Sequence, residues 1–333
     1  MRRMRTLGLR NFVHLLPLTA FLIVLICFFR FNNLGQVINE RKGGRKFSLS
    51  YQDPSEKQEL IQVLRRATMP DRTVILTMVD ESHASPGSML EILLQSFKSG
   101  QGTKRFLNHL VIIAMDPQAF EYCKLLHPHC IHPSTFEPYF TIKRHSIITL
   151  EHNVLTWRRN NVLIEVLELG YNIIFTDADV LWLKSPLANF NPTYELSISC
   201  NFSSGGERED SLREGGIFFM KANAIALEFL KHWKLSRILY PNPNAEESLC
   251  ETIKQNVEIT EAYGFRVHGV DANHFGGLCQ LNKDMLEKVY TIHANCCDGL
   301  SSKVHDLRIV LDDWIHFNAS EKMALRWPQK CTG

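Results

Sequence analysis

The chain has 333 residues, 45% hydrophobic and 22% charged, an ordinary globular composition with length for one large domain or two small ones. The formal net charge is only +2, so no global field favours nucleic acid, and none is expected as a partner. Part of the positive excess sits near the start, at Arg2, Arg3, Arg5 and Arg10 and again at Arg41, Lys42, Arg45 and Lys46.

Between those basic clusters, residues 11–29 form the one membrane-length apolar segment, free of Asp, Glu, Lys and Arg. As a helix it spans about 28 Å, close to a bilayer core. A cleaved signal peptide has a shorter apolar core and a small-residue cleavage site. This run ends Cys27-Phe28-Phe29-Arg30-Phe31 and lacks such a site, so it reads as a signal anchor. Both flanks are basic, and the positive-inside rule alone orients it only weakly. Eight cysteines beyond the span, an even number, permit disulfides in an oxidising compartment, although sequence does not reveal their pairing. Asn201-Phe202-Ser203 and Asn318-Ala319-Ser320 are glycosylation sequons. Together these features predict a cytosolic tail over 1–10, a transmembrane anchor over 11–29, a stem over 30–70 and a lumenal domain over 71–333.

A short helix is expected in the stem from Glu56 to Ala67. Val74 to Val79 then reads as a strand. Ser85-Pro86 reads as a helix start, Ser as N-cap and Pro at the first helical position. Met89, Leu90, Leu93, Leu94 and Phe97 follow at helical spacing, and Gly100 and Gly102 end the helix. A second strand, Leu110 to Met115, precedes a helix from Pro117 to Leu126. Strand, helix, strand, helix marks a parallel α/β sheet. No G-x-G-x-x-G and no G-x-x-x-x-G-K-[ST] is present, so a phosphate ligand must be held by metal and basic side chains. Residues 127–150 carry no assignable pattern. A helix is expected over Val154 to Leu169, capped by Gly170.

Next comes the stretch that carries the chemistry, Tyr171-Asn172-Ile173-Ile174-Phe175-Thr176-Asp177-Ala178-Asp179-Val180-Leu181-Trp182. It reads as a buried strand ending in two carboxylates. In an open α/β sheet ligands sit at the carboxyl ends of strands. Carboxylates among apolar neighbours need cationic compensation, and a hard divalent metal with oxygen ligands supplies it. As bare turn residues the pair would have no such role. Further strands are expected at Leu196 to Cys200, Glu214 to Met220, Phe265 to Val270 and Val289 to His293. Helices are expected over Ala222 to Leu239 and Glu246 to Gln255. After the last strand, His293 suits metal ligation, a glycine at 299 permits close backbone approach, and Lys303 offers a point charge to phosphate. Zinc at Cys296 and Cys297 is disfavoured, because adjacent cysteines bind one tetrahedral ion awkwardly.

Five ordered segments carry a resemblance: Ala84-Ser85-Pro86-Gly87-Ser88, Trp157-Arg158-Arg159, Leu169 to Trp182, Phe275-Gly276-Gly277-Leu278-Cys279-Gln280 and His293-Ala294-Asn295-Cys296-Cys297-Asp298-Gly299-Leu300. Over about residues 70 to 315 the chain resembles the plant nucleotide-diphospho-sugar transferase family that includes cell-wall xylosyl- and arabinosyltransferases. The resemblance implies an α/β, GT-A-type Rossmann-like mixed sheet flanked by helices, preceded by the anchor. It implies a UDP-sugar donor, manganese or magnesium, and a single-pass type II Golgi membrane protein with its catalytic domain in the lumen. The acceptor would be a cell-wall polysaccharide or glycoprotein, the transferred sugar pentose- or galactose-like, and the anomeric configuration retained. Homo- and hetero-oligomers in the Golgi are both compatible with it. By matching motif, Asp177, Asp179 and His293 would hold the metal. Thr77, Arg158, Asp177, Asp179, Gly299 and Lys303 would bind the nucleotide-sugar. A double displacement would require a carboxylate nucleophile, with Glu246 and Asp271 as candidates. Two positions depart from the family pattern: Glu214 precedes Gly215-Gly216 where Asn is common, and Glu246-Glu247 replaces an Asp-Gln pair. They motivate an alternative expectation, a catalytically silent Golgi-anchored relative that binds a sugar nucleotide or acts as a scaffold. A metal-dependent phosphohydrolase would need more clustered carboxylates and histidines than the motifs provide.

Overall fold

A computed structural model of the protein describes residues 54–132, 159–200, 214–239, 249–250, 253, 262, 264–271, 273–280, 287–316, 326 and 329–331. The expected anchor at 11–29 and both sequons lie outside the described residues, as do Arg158 and Glu246. Among the described residues no helix is long and apolar enough to cross a membrane.

The first two strands, β1 (Thr73–Val79) and β2 (Leu110–Ala114), pair in parallel, with Ile75 opposite Leu110 and Val79 opposite Ala114. β3 (Cys130–Ile131) extends the sheet beside β2, and β4 (Asn172–Thr176) lies parallel to β1 on the other side. β7 (Glu214–Met220) is antiparallel to both β4 and β6 (Leu196–Cys200), and β8 (Val267–Gly269) closes the far edge parallel to β6. The sheet thus has seven strands in the order β3-β2-β1-β4-β7-β6-β8, a mixed α/β sheet whose first half is parallel. A second, three-stranded sheet has the order β5-β10-β9, from β5 (Val180–Trp182), β9 (Phe275–Gly277) and β10 (Thr291–His293). β3, β5 and β9 are two or three residues long, too short for a periodic signal, and the sequence pattern does not announce them.

Strand alternation sends side chains to two separate cores. Ile75, Leu110, Ile112, Ile174, Ile217 and Phe219 face one core. It also takes the apolar side of α2 (Met89–Ser99) and of α6 (Leu300–His316). Val74, Leu76, Val111, Ile113, Ile173, Phe175, Phe218 and Met220 face the other. That face is covered by α1 (Pro54–Ala67), a helical stretch over residues 159–168 (α4) and α5 (Ala224–Leu239). Helices on both faces explain why these strands are nearly continuous apolar runs. The remaining helix, α3 (Pro117–Leu126), opens on Asp116, whose side chain accepts from the Ala119 N–H at 2.8 Å.

Several boundaries differ from expectation. α2 begins at Met89 rather than at Pro86, because Ser85-Pro86-Gly87 forms a turn whose glycine has φ +71°. Ser88 takes the N-cap place, but its hydroxyl donates to the Ser82 carbonyl at 2.7 Å instead of capping. α5 begins at Ala224, where the Asn223 side chain accepts from the Ala226 N–H at 2.8 Å. α6 was not among the expected helices, although Leu300, Val304, Leu307, Leu311 and Trp314 recur at its period.

All eight cysteines beyond residue 29 are paired: Cys123 with Cys130, Cys200 with Cys250, Cys279 with Cys296, and Cys297 with Cys331. The adjacent Cys296 and Cys297 therefore enter two different bridges, which excludes the zinc alternative in this state.

Trp182 is the largest of the fully buried side chains. Its ring stacks on Phe97 at 4.4 Å between centroids, and its indole N–H donates to the Thr176 hydroxyl at 3.1 Å. We predict that Trp182→Ala lowers unfolding stability by about 3–5 kcal/mol, through the cavity and the lost bond. Urea unfolding followed by circular dichroism measures it.

Candidate active site

Thr176 ends β4, and Asp177 lies just past it. The Asp177 backbone N–H donates to the Gly216 carbonyl on β7 at 2.8 Å. Ala178 and Asp179 turn the chain into β5. The Trp182 indole bond to Thr176 clasps this turn across its two ends, and the Trp182 N–H is held by the Ser96 hydroxyl at 3.0 Å.

β5 then pairs antiparallel with β10, with His293 opposite Val180. The Ala294 N–H donates to the Asp179 carbonyl at 3.1 Å. That register carries an imidazole more than a hundred positions away in sequence to the two carboxylates. His293 Nε2 lies 3.2 Å from Asp179 Oδ1 and 3.7 Å from Asp177 Oδ2. From the first turn of α6, the Lys303 ammonium donates to Asp179 Oδ2 at 2.7 Å.

Asp179 and His293 are buried and Asp177 is half-buried. Burial pushes the Asp179 carboxyl pKa up, but His293 and Lys303 outweigh it and hold the group well below the usual carboxylate range. Asp179 therefore stays ionised in a site that otherwise penalises charge.

One ligand atom from each of Asp177, Asp179 and His293 lies within 4.8 Å of the others, a group able to hold a metal ion. Two carboxylates and one imidazole fit a hard or borderline divalent cation such as magnesium or manganese. The expected metal ligands are thus brought together, with Lys303 beside them. Gly299 is exposed with φ +74° and immediately precedes α6. Thr77 lies within β1 rather than at its end, fully buried, its hydroxyl without a hydrogen bond among the described residues. Asp271 is exposed and accepts from the N–H and the side-chain amide of Asn273, both at 2.9 Å, within its own turn.

Two contributors escaped the sequence pattern. Asp80 and His83, in the loop that leaves the same sheet edge as Asp177, form a 2.7 Å contact. Gly216, noted only as part of a glycine pair, has φ +66° and lies directly against His293. A Cβ there would stand 2.6 Å from Val180 Cγ2 and 2.8 Å from the Cγ and Nδ1 of His293. Its positive φ favours glycine, and the close approach excludes any larger side chain without a shift of His293. A Gly-Gly pair opening an apolar strand was the available signal, but its meaning depends on a partner 77 residues further on.

A family model described as nucleotide-diphospho-sugar transferase matches residues 105–307. An uncharacterized protein of Arabidopsis thaliana is 33% identical over 282 residues, covering 82% of this chain and 74% of its own. A second uncharacterized Arabidopsis thaliana protein is 31% identical over 255 residues, 75% of each chain. Among solved structures, a glycosyltransferase involved in glycosylation of the major capsid of PBCV-1 aligns with a TM-score of 0.43 at 12% identity. That alignment covers 71% of this chain and 99% of that one.

The packing of Gly216 on His293 yields a test. Gly216→Ala should weaken Mn2+ binding about tenfold or more, as loss of support behind a metal ligand does. Titration followed by the free-Mn2+ electron paramagnetic resonance signal, with a thermal melt in parallel, separates that loss from unfolding.

Proposed function

The chain belongs to the nucleotide-diphospho-sugar transferase family and is a glycosyltransferase, and from that premise we propose that it moves a sugar from a UDP-sugar to a hydroxyl of a cell-wall polysaccharide or glycoprotein. The observation that carries this reading is the convergence of Asp177, Asp179 and His293, from two distant segments, with Lys303 on the same carboxylate. Manganese or magnesium held by those three side chains would supply Lewis-acid neutralisation of the charge that develops on the leaving diphosphate.

The chain's own residues do the rest. Asp177 and Asp179 present carboxylate oxygens at the carboxyl end of β4, where α/β sheets receive ligands. Lys303 sits in the first turn of a 17-residue helix, so its ammonium adds to the positive end of the helix dipole, where an anion is favoured. As the leaving group departs, both would stabilise its growing charge. For stereochemistry we favour front-face attack guided by the leaving phosphate, with retention of anomeric configuration. Asp271 is engaged in its own turn, which weakens its case as a nucleophile.

The compartment we propose is the Golgi lumen, with residues 11–29 as a type II anchor. Four disulfides support an oxidising environment, and the uncharged apolar run supports the anchor.

The test uses the full-length chain from a secretory eukaryotic host, screened with Mn2+ against UDP-sugars, pentoses included. The wild type should release UDP. The Asp177→Ala, Asp179→Ala double variant should lose at least about 100-fold in turnover while keeping its fold, since it removes the metal's oxygen ligands. Undiminished turnover in that variant would sink the proposal, and nucleotide binding without turnover in the wild type would favour a silent relative.

A further inference from the structure

We infer that His83, oriented by Asp80, is a direct contact for the donor diphosphate, reaching it through the ring nitrogen that Asp80 leaves unengaged and acting beside Lys303. This rests on the reading of the site as a UDP-sugar site. Among the described residues His83 is outside the group able to hold a metal.

The placement follows from the sheet. β1 and β4 are parallel neighbours with Leu76 opposite Phe175, so Asp80 leaves the same carboxyl edge as Asp177. The loop from Asp80 to Ser88 is tied down from three directions. Glu81 N–H donates to Asp116 Oδ2 at 2.7 Å, just ahead of α3. Leu90 N–H, in the first turn of α2, donates to the His83 carbonyl at 3.0 Å. Arg308 of α6 donates to the Gly87 carbonyl. The helix that carries Lys303 thus also grips this loop.

Within the loop, His83 Nδ1 lies 2.7 Å from Asp80 Oδ1, which fixes the ring and assigns the proton at that nitrogen. Nε2 has no partner among the described residues. The turn itself does not require an imidazole, because Asp80 Oδ1 also accepts from the Ser82 hydroxyl at 2.6 Å and from the His83 N–H at 3.1 Å. The Asp80 hydrogen bond raises the His83 pKa; burial opposes it, Asp179 adds to the rise, and Lys303 reduces it. The charged groups facing His83 are therefore Asp80 from its own loop, Asp179 from the β4–β5 turn and Lys303 from α6. Asp179 and Lys303 are near enough to act on the ring electrostatically, in keeping with a loop that leaves the same sheet edge as Asp177. When protonated at both nitrogens, this half-buried ring, next to a site read as one for a nucleoside diphosphate, is a charge-assisted donor for phosphate oxygen.

Calorimetric titration of the full-length protein with UDP and Mn2+ decides the matter. His83→Ala should weaken UDP about tenfold, the scale of one hydrogen bond to a charged group, with Mn2+ alone bound no more weakly and the melting temperature unchanged. His83→Gln, which keeps an N–H but no charge, should fall between. The sign with pH follows from the raised value: the contribution is full below the His83 pKa and disappears as pH rises through it. Asp80→Asn removes the carboxylate and should move that disappearance to lower pH. If His83→Ala binds UDP as the wild type does while the Asp177→Ala, Asp179→Ala variant loses it, the inference about His83 is wrong and the site stands. If the wild type binds no UDP, or binds it independently of those two aspartates, the site reading falls and this inference with it.

Discussion

A buried carboxylate is the constraint on which the site depends. Asp179 is ionised in a buried setting, and among the described residues His293 at 3.2 Å and Lys303 at 2.7 Å make that tolerable. Each partner arrives by a different route. His293 comes by pairing of two three-residue strands, Lys303 by the first turn of a helix after Gly299. Removing either leaves that charge with half its compensation, so the two sheets and α6 must be in place together before the site is complete. The same electrostatics prepare it for a ligand. A divalent cation can replace the stabilisation that His293 and Lys303 give Asp179, and an anionic diphosphate can then take up Lys303.

Much of the surrounding architecture serves to hold that arrangement still. Trp182 fixes both ends of the Asp-Ala-Asp turn by bonding Thr176 and lying on Phe97. Gly216 receives the Asp177 N–H and packs on His293, so one backbone segment sets the positions of two ligands. Beyond His293, the bridges Cys279–Cys296 and Cys297–Cys331 tether consecutive residues to two different parts of the chain. The loop that leads from His293 to Lys303 is thereby fixed near its start. Asp306, fully buried on α6, accepts the backbone N–H groups of Lys330 and Cys331 at 2.8 and 2.7 Å, joining the second bridge to the helix.

The strands and helices of the first half of the chain were legible because their signals are local. Val74 to Val79, Leu110 to Ala114 and Ile173 to Phe175 are apolar runs bounded by polar residues, and strands of a sheet covered on both faces must look that way. The two aspartates were legible because carboxylates directly after such a run need a reason. α6 was legible in period but hidden by its polar content, with Lys303, His305, Asp306, Asp312 and Asp313 among its apolar positions. The start of α2 was misplaced because Pro86 is equally at home in a turn, and the left-handed Gly87 decided for the turn.

By itself the sequence determined which groups were available for chemistry: two carboxylates at a strand end, a histidine at another, a lysine ten residues later and eight cysteines to pair. Composition and hydrophobic periodicity are properties of short windows, and these facts lie within such windows. Only the tertiary structure decided that His293 meets Asp179 rather than some other carboxylate, that Gly216 lies under that histidine, and that the Asp80–His83 pair leaves the same sheet edge as Asp177. Those relations depend on strand register and crossover, which join residues far apart in the sequence. No local pattern encodes them, because the free energy that selects them comes from burial and charge compensation in the completed core.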